Sequence, residues 1–163
     1  MIDSFYYYYF LIHIPITILV DANIVLPKQY QIGFFLNYHI KQNKDFLLVD
    51  IPTWLKAAGW IELIFQLPFF FISLHYFSFL TTRPKKKLKK SDSKKKLAKY
   101  YVYCLIYAVI ASSTTLFCIY EIYSKSPSEQ FTLQDKSKLI LYYLPTFLIP
   151  TYMMVDMTKR ISK

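Results

Sequence analysis

Four long stretches of this chain carry almost no charge, and no other feature limits its fold as strongly. Ser4 to Pro27 contains one charged residue, Asp21, and Ala57 to Thr82 contains one, Glu62. Tyr100 to Tyr120 and Leu139 to Val155 contain none. A helix needs about 20 apolar residues to cross the hydrocarbon core, with about 17 as the lower limit. Four such runs in 163 residues predict an all-α membrane protein, a four-transmembrane-helix bundle. The helices are expected over 4–27, 52–82, 100–121 and 138–156, inside a membrane domain covering 5–156. A β-barrel needs period-two alternation and frequent turn residues, whereas these runs are continuously apolar and the chain has 2 Gly. Disorder is excluded by a hydrophobic share of 55%. Cys104 and Cys118 stand on one apolar run, roughly 21 Å apart along a helix, beyond disulfide reach.

The net charge of +10 is concentrated in one place. Ten basic residues lie between Arg83 and Lys99, among them Lys85, Lys86, Lys87, Lys89, Lys90, Lys94, Lys95 and Lys96, opposed only by Asp92. The rest of the chain is nearly neutral. Lys and Arg mark the cytosolic side of short loops. Four crossings place this strap, 83–99, together with the tail 157–163, on a side holding thirteen basic residues against seven on the other. Both termini are therefore expected in the cytosol, although Asp3 and Lys28, taken alone, favour the opposite orientation of the first helix. With Lys28 as its first basic residue, the first run is expected to stay as a signal anchor. The strap is a topogenic loop that can also contact anionic lipid headgroups or a partner protein. Nucleic acid is not an expected partner, because the aromatics lie in the spans and are not interleaved with the lysines.

Two acids inside apolar runs carry the functional signal. Asp21 lies six residues before Pro27 and Glu62 six residues after Lys56. Both therefore sit roughly 9 Å inside the same boundary. On antiparallel neighbouring helices they can face one another and hold one proton between them. Gln66, four residues beyond Glu62, shares its helix face. An ionisable group in a spanning helix is a functional hypothesis by default. A paired carboxylate among aromatic rings suits a lipophilic cation or a hydroxylated lipid such as a sterol.

Pro15, Pro68, Pro145 and Pro150 fall inside apolar runs, where each removes a backbone hydrogen bond and bends its helix. His13 and His75 lie nearer the cytosolic boundary, and interhelical hydrogen bonding accounts for them. Tyr6 to Tyr9 reads as an interfacial aromatic belt, and Tyr30 to Tyr38, too short to span, as a cap lying in the interface. No metal-ligand spacing, Gly-rich phosphate loop or nucleophile beside a base occurs, so neither a metal nor another cofactor is expected.

With these residues assembled, the chain resembles the sigma-2 receptor (transmembrane protein 97) family within the EXPERA superfamily of four-helix membrane proteins. The resemblance rests on His13-Ile14-Pro15-Ile16-Thr17, then Asp21, then Val25-Leu26-Pro27 and Lys44-Asp45. It continues through Glu62-Leu63-Ile64-Phe65-Gln66-Leu67-Pro68-Phe69-Phe70, with Thr114-Thr115-Leu116 and Leu148-Ile149-Pro150 further on. It implies an endoplasmic reticulum protein binding sterols and amphipathic amines in an intramembrane pocket, and it implies homodimerisation. Asp21 would pair with the cation, Glu62 would be its protonated neighbour, and Gln66, Thr115 and Tyr143 would line the pocket. Asp45, His13, Pro15 and Pro68 would support the architecture. A second family tyrosine falls on Thr146 here, with Tyr142 or Phe147 as substitutes. Fungal members are linked with handling mitochondrial precursor proteins, which would then be clients. The superfamily also holds a sterol double-bond isomerase. That chemistry needs a donor and an acceptor across the ring, so a non-enzymatic binding role is preferred here.

Overall fold

A computed structural model of the chain describes residues 2–82 and 91–162. The chain divides into two compact units, Met1–Pro84 and Lys85–Lys163, each described by itself. Every regular element among the described residues is helical, and four helices are long and apolar enough to cross a membrane. These candidate spans are Ile2–Ile24, Thr53–Leu80, Lys96–Ser124 and Leu133–Ile161. The protein is an all-α, multi-pass membrane protein.

In the first unit, α1 (Ile2–Leu19) runs antiparallel to a composite helix made of α3 (Thr53–Ile61), a π turn (Glu62–Gln66) and α4 (Leu67–Thr82). Residues 6, 10, 13 and 17 share one face of α1 by helical spacing. Tyr6 meets Phe77 at 5.3 Å between ring centroids, Phe10 meets Phe70 at 5.4 Å, and His13 stands edge-on to Phe70 at 5.4 Å. Tyr6, Phe10, Phe70 and Phe77 are fully buried. The tyrosine run is therefore divided in its use. Tyr6 and Tyr9 turn into the seam while Tyr8 is exposed, because successive helical side chains point about 100° apart.

The first apolar run is not α-helical to Pro27. After Leu19 the chain tightens into a 3-10 turn, Asp21–Ile24. Asn23 is the cause: its Nδ2 donates to the Leu19 carbonyl at 2.8 Å and the Val20 carbonyl at 3.1 Å, satisfying acceptors that α1 leaves at its end. The second run is also interrupted. Leu67 N–H donates to the Glu62 carbonyl, five residues back, which opens the π turn. Pro68 follows at once. In a regular α-helix its ring would crowd the Ile64 carbonyl, and the wider turn relieves that crowding.

Between these helices the chain forms α2 (Gly33–Asn43), which ends with Lys44 in the left-handed region at φ 50°. Asp45, fully buried, then caps a short 3-10 turn by accepting from Leu47 N–H at 3.1 Å.

The second unit is an antiparallel hairpin of α5 (Ser91–Ser124) and α6 (Leu133–Ile161). Its register shows at both ends: Lys136 lies 5.1 Å from the Tyr123 ring, and Arg160 lies 5.4 Å from the Tyr101 ring. Both helices outrun the uncharged segments. A capping box of Thr132 and Asp135 starts α6 ahead of residue 138, and α5 begins within the segment read as a loop. Lysine is a good helix former, so a loss of apolar character ends the membrane crossing without ending the helix. Lys85, Lys86, Lys87, Lys89 and Lys90 lie outside the described residues; Lys94, Lys95 and Lys96 fall in α5.

Candidate ligand-binding site

Four features of the first unit bring its polar groups together. Thr17 ends the apolar face of α1, one turn beyond His13, and is fully buried. Asp21 opens the 3-10 turn just beyond it. Glu62 opens the π turn opposite. The fourth is Gly59, three residues before Glu62 in α3. A Cβ there would meet Val25 Cγ1 at 3.0 Å and Ile24 Cγ2 at 3.2 Å, so a bare glycine lets α3 lie against the 3-10 turn.

The consequence is a compact polar cluster. The Thr17 hydroxyl donates to Glu62 Oε1 at 2.8 Å. The Asp21 carboxyl neighbours the same two side chains, Thr17 and Glu62. Asp21 and Glu62 are half-buried and Gln66 is buried. Two carboxyl groups this close in an apolar setting cannot both carry a full charge without a counter-ion. The cluster can share a proton or receive a cation, and its hydroxyl and amide can bond a polar head on an otherwise apolar molecule.

The remaining sequence-derived residues take varied places. Asp45 accepts from His39 Nε2 at 3.1 Å, and Asn43 Nδ2 lies 3.2 Å from His39 Nδ1, a buried chain that closes the segment after α2. His13 packs its ring 5.1 Å from Tyr9 and against Phe70, whereas His75 is exposed, so the two histidines serve different surfaces. Pro15 is exposed within a continuous α1, and Pro68 is exposed beside the π turn. Thr115 and Tyr143 belong to the second unit. Thr115 Oγ1 donates to the Ala111 carbonyl at 2.8 Å, and the Tyr143 carbonyl accepts from Thr146 Oγ1 at 2.7 Å. Thr146 here serves its own helix backbone beside Pro145.

Sequence reasoning missed Thr17 as a member of the cluster, along with Asn23, Gln31 and His39. A signal existed for Thr17, which lies four residues before Asp21 and so on nearly the same helix face. Gln31 Nε2 donates to the carbonyls of Asn23 and Leu26, both at 2.9 Å, and Asn23 Oδ1 accepts from Ile32 N–H at 2.6 Å. This network fixes the chain directly after Asp21.

Residues 32–157 match the family model described as EXPERA (EXPanded EBP superfamily). The chain belongs to the EXPERA superfamily. The EXPERA match takes in Glu62, Gln66, Thr115 and Tyr143, while Thr17 and Asp21 precede it. Relatives extend the likeness over that N-terminal part. The chain is 36% identical to efficient mitochondria targeting-associated protein 19 of Saccharomyces cerevisiae, over 91% of this chain and 92% of the relative. It is 34% identical to human sigma intracellular receptor 2, over 93% of this chain and 84% of the relative. The Schizosaccharomyces pombe protein of the first name is 28% identical, over 99% and 77% respectively.

Proposed function

We propose that this EXPERA protein binds an amphipathic cationic amine or a sterol at the Asp21–Thr17–Glu62 cluster, within the membrane of the endoplasmic reticulum. The observation that carries this reading is the 2.8 Å Thr17–Glu62 hydrogen bond with the Asp21 carboxyl beside it, two acids as neighbours inside two candidate spans. An ammonium group would neutralise the pair, and a sterol hydroxyl could bond the same oxygens. The name of the human relative, an intracellular receptor, agrees with ligand binding. Binding stands ahead of catalysis because the acids form one cluster. A double-bond shift would need a donor and an acceptor on separate sides of a ring. Cytosolic termini belong to the same proposal and rest on the thirteen-to-seven asymmetry of basic residues.

The test is equilibrium binding of a radiolabelled lipophilic amine to the purified full chain. Asp21→Asn should weaken binding about tenfold or more, because removing one charge from a desolvated pair costs about 2–5 kcal/mol. Unchanged affinity in a folded variant would overturn the proposal.

A second reading is favoured by the 36% identity to a protein named for mitochondrial targeting. In it, the lysine strap contacts precursor proteins. Exchanging the strap lysines for Gln should then lower cross-linking to an arrested precursor while amine binding persists. Cross-linking that survived the exchange would remove this role.

A further inference from the structure

The connection between the first two candidate spans, Ile2–Ile24 and Thr53–Leu80, is occupied mainly by α2. Its 11 residues form a helix of about 16 Å, roughly half the hydrocarbon thickness, so it cannot cross. Both of its ends are tied down. At the start, Ile32 N–H bonds to Asn23 Oδ1 at 2.6 Å, and Gln31 bonds to the Leu26 carbonyl at 2.9 Å, directly beyond the first span. At the end, the His39–Asp45 contact of 3.1 Å closes the return toward the second. The helix is therefore held at the membrane face where these two spans end.

Its two sides differ sharply. Leu36 and His39 are buried, while Phe34 is 75% and Tyr38 61% exposed, and Tyr30, just before the helix, is 65% exposed. Positions 34, 38 and 41 lie within about 60° of one another around the axis, so Phe34, Tyr38 and Lys41 form a single outward face. Two rings beside a long cationic side chain match the region where acyl chains meet headgroups. Aromatic rings settle at that depth and lysine reaches back to phosphate.

We propose that α2 is an interfacial helix whose Phe34, Tyr38 and Lys41 face is seated among the lipid headgroups of the bilayer that the protein spans. Lipid is the occupant because the Asn23–Ile32 bond holds the start of the helix at the end of the first candidate span, at the depth where headgroups surround the chain. The patch would otherwise leave large aromatic surfaces in water. The proposal does not depend on the ligand reading, since none of these residues belongs to the Asp21–Glu62 cluster.

The test uses the full chain carrying Trp54→Phe and Trp60→Phe, with Phe34→Trp as the reporter, in vesicles of phosphatidylcholine and phosphatidylserine. Phosphatidylcholine brominated near the headgroup end of its acyl chain should quench the indole about two-fold or more, given insertion by about 5–10 Å. Aqueous acrylamide should quench it weakly. Strong acrylamide quenching without bromolipid quenching would place the face in water and overturn the proposal. Protection from both quenchers would show a protein cover, such as a second copy, and would overturn it equally. Tyr38→Trp reports on the same face, so a folding defect in one variant leaves the other to decide.

Discussion

Thr17 and Glu62, 45 residues apart in the chain, are joined by a hydrogen bond of 2.8 Å. This single contact ties the end of α1 to the start of the π turn. A hydroxyl has one hydrogen to give, and here Glu62 takes it.

Thr17→Val keeps the shape of the side chain and removes the donor. Thr17 is fully buried, so the variant is expected to lose about 1–3 kcal/mol of stability. Thr17→Ser should retain most of it. Thermal unfolding in detergent measures both. Amine affinity should fall in the valine variant and hold in the serine variant, an ordering that a packing effect alone would not produce.

Gly59 faces Ile24 and Val25 at contact distances that leave little room. Gly59→Ala needs the Cγ methyls of two stiff β-branched side chains to give by a few tenths of an ångström, a cost that offsets the gain of about 1 kcal/mol in helix propensity, so its stability should stay near that of the native chain. Gly59→Leu should cost about 1–3 kcal/mol through overpacking. It should also weaken amine binding by separating Glu62 from Thr17. Urea or thermal titration of the two variants, with binding measured alongside, checks this.

Asn23 accepts from Ile32 N–H and donates to the carbonyls of Leu19 and Val20. In Asn23→Ala the Ile32 amide loses its acceptor, so its hydrogen exchange should quicken at least about tenfold if the bond is worth about 1.4 kcal/mol. Exchange within the α1–α4 seam should change far less. Peptide-resolved exchange mass spectrometry distinguishes these regions.

Asp45 is fully buried and serves both His39 and the Leu47 amide. Asp45→Ala strands both and should destabilise the first unit by about 1–3 kcal/mol. Asp45→Asn, which keeps an acceptor for Leu47 N–H, should cost less. Limited proteolysis after α2 should rank the variants in that order.

The four spans were legible from charge alone, because the membrane penalises charge wherever it occurs along a span. The acids at Asp21 and Glu62 were legible for the same reason: each is the lone exception in its run. The local breaks were not. A helix that is apolar on every side has no periodicity to lose, so neither the 3-10 turn at Asp21–Ile24 nor the π turn at Glu62–Gln66 left a trace in hydropathy. Pro68 hinted at irregularity without specifying its form. The bonds of Asn23, Gln31 and His39 were hidden for another reason. Their partners are backbone carbonyls, an amide and one carboxylate, and no residue type announces that such a group has been left waiting.

The π turn has a further consequence, best put as phase. In an uninterrupted α-helix, positions eight apart such as Glu62 and Phe70 point about 80° from each other. The π turn absorbs one residue, so the pair behaves as though seven apart, within about 20°. Glu62 can then meet Thr17 while Phe70 meets Phe10 and His13, all on one face of α1. The distance in sequence between the acid and the aromatic seam is thus a counted quantity. Deleting one residue between them would leave a smooth helix with the acid and the ring still in phase, whereas straightening the helix with every residue retained would set them about 80° apart.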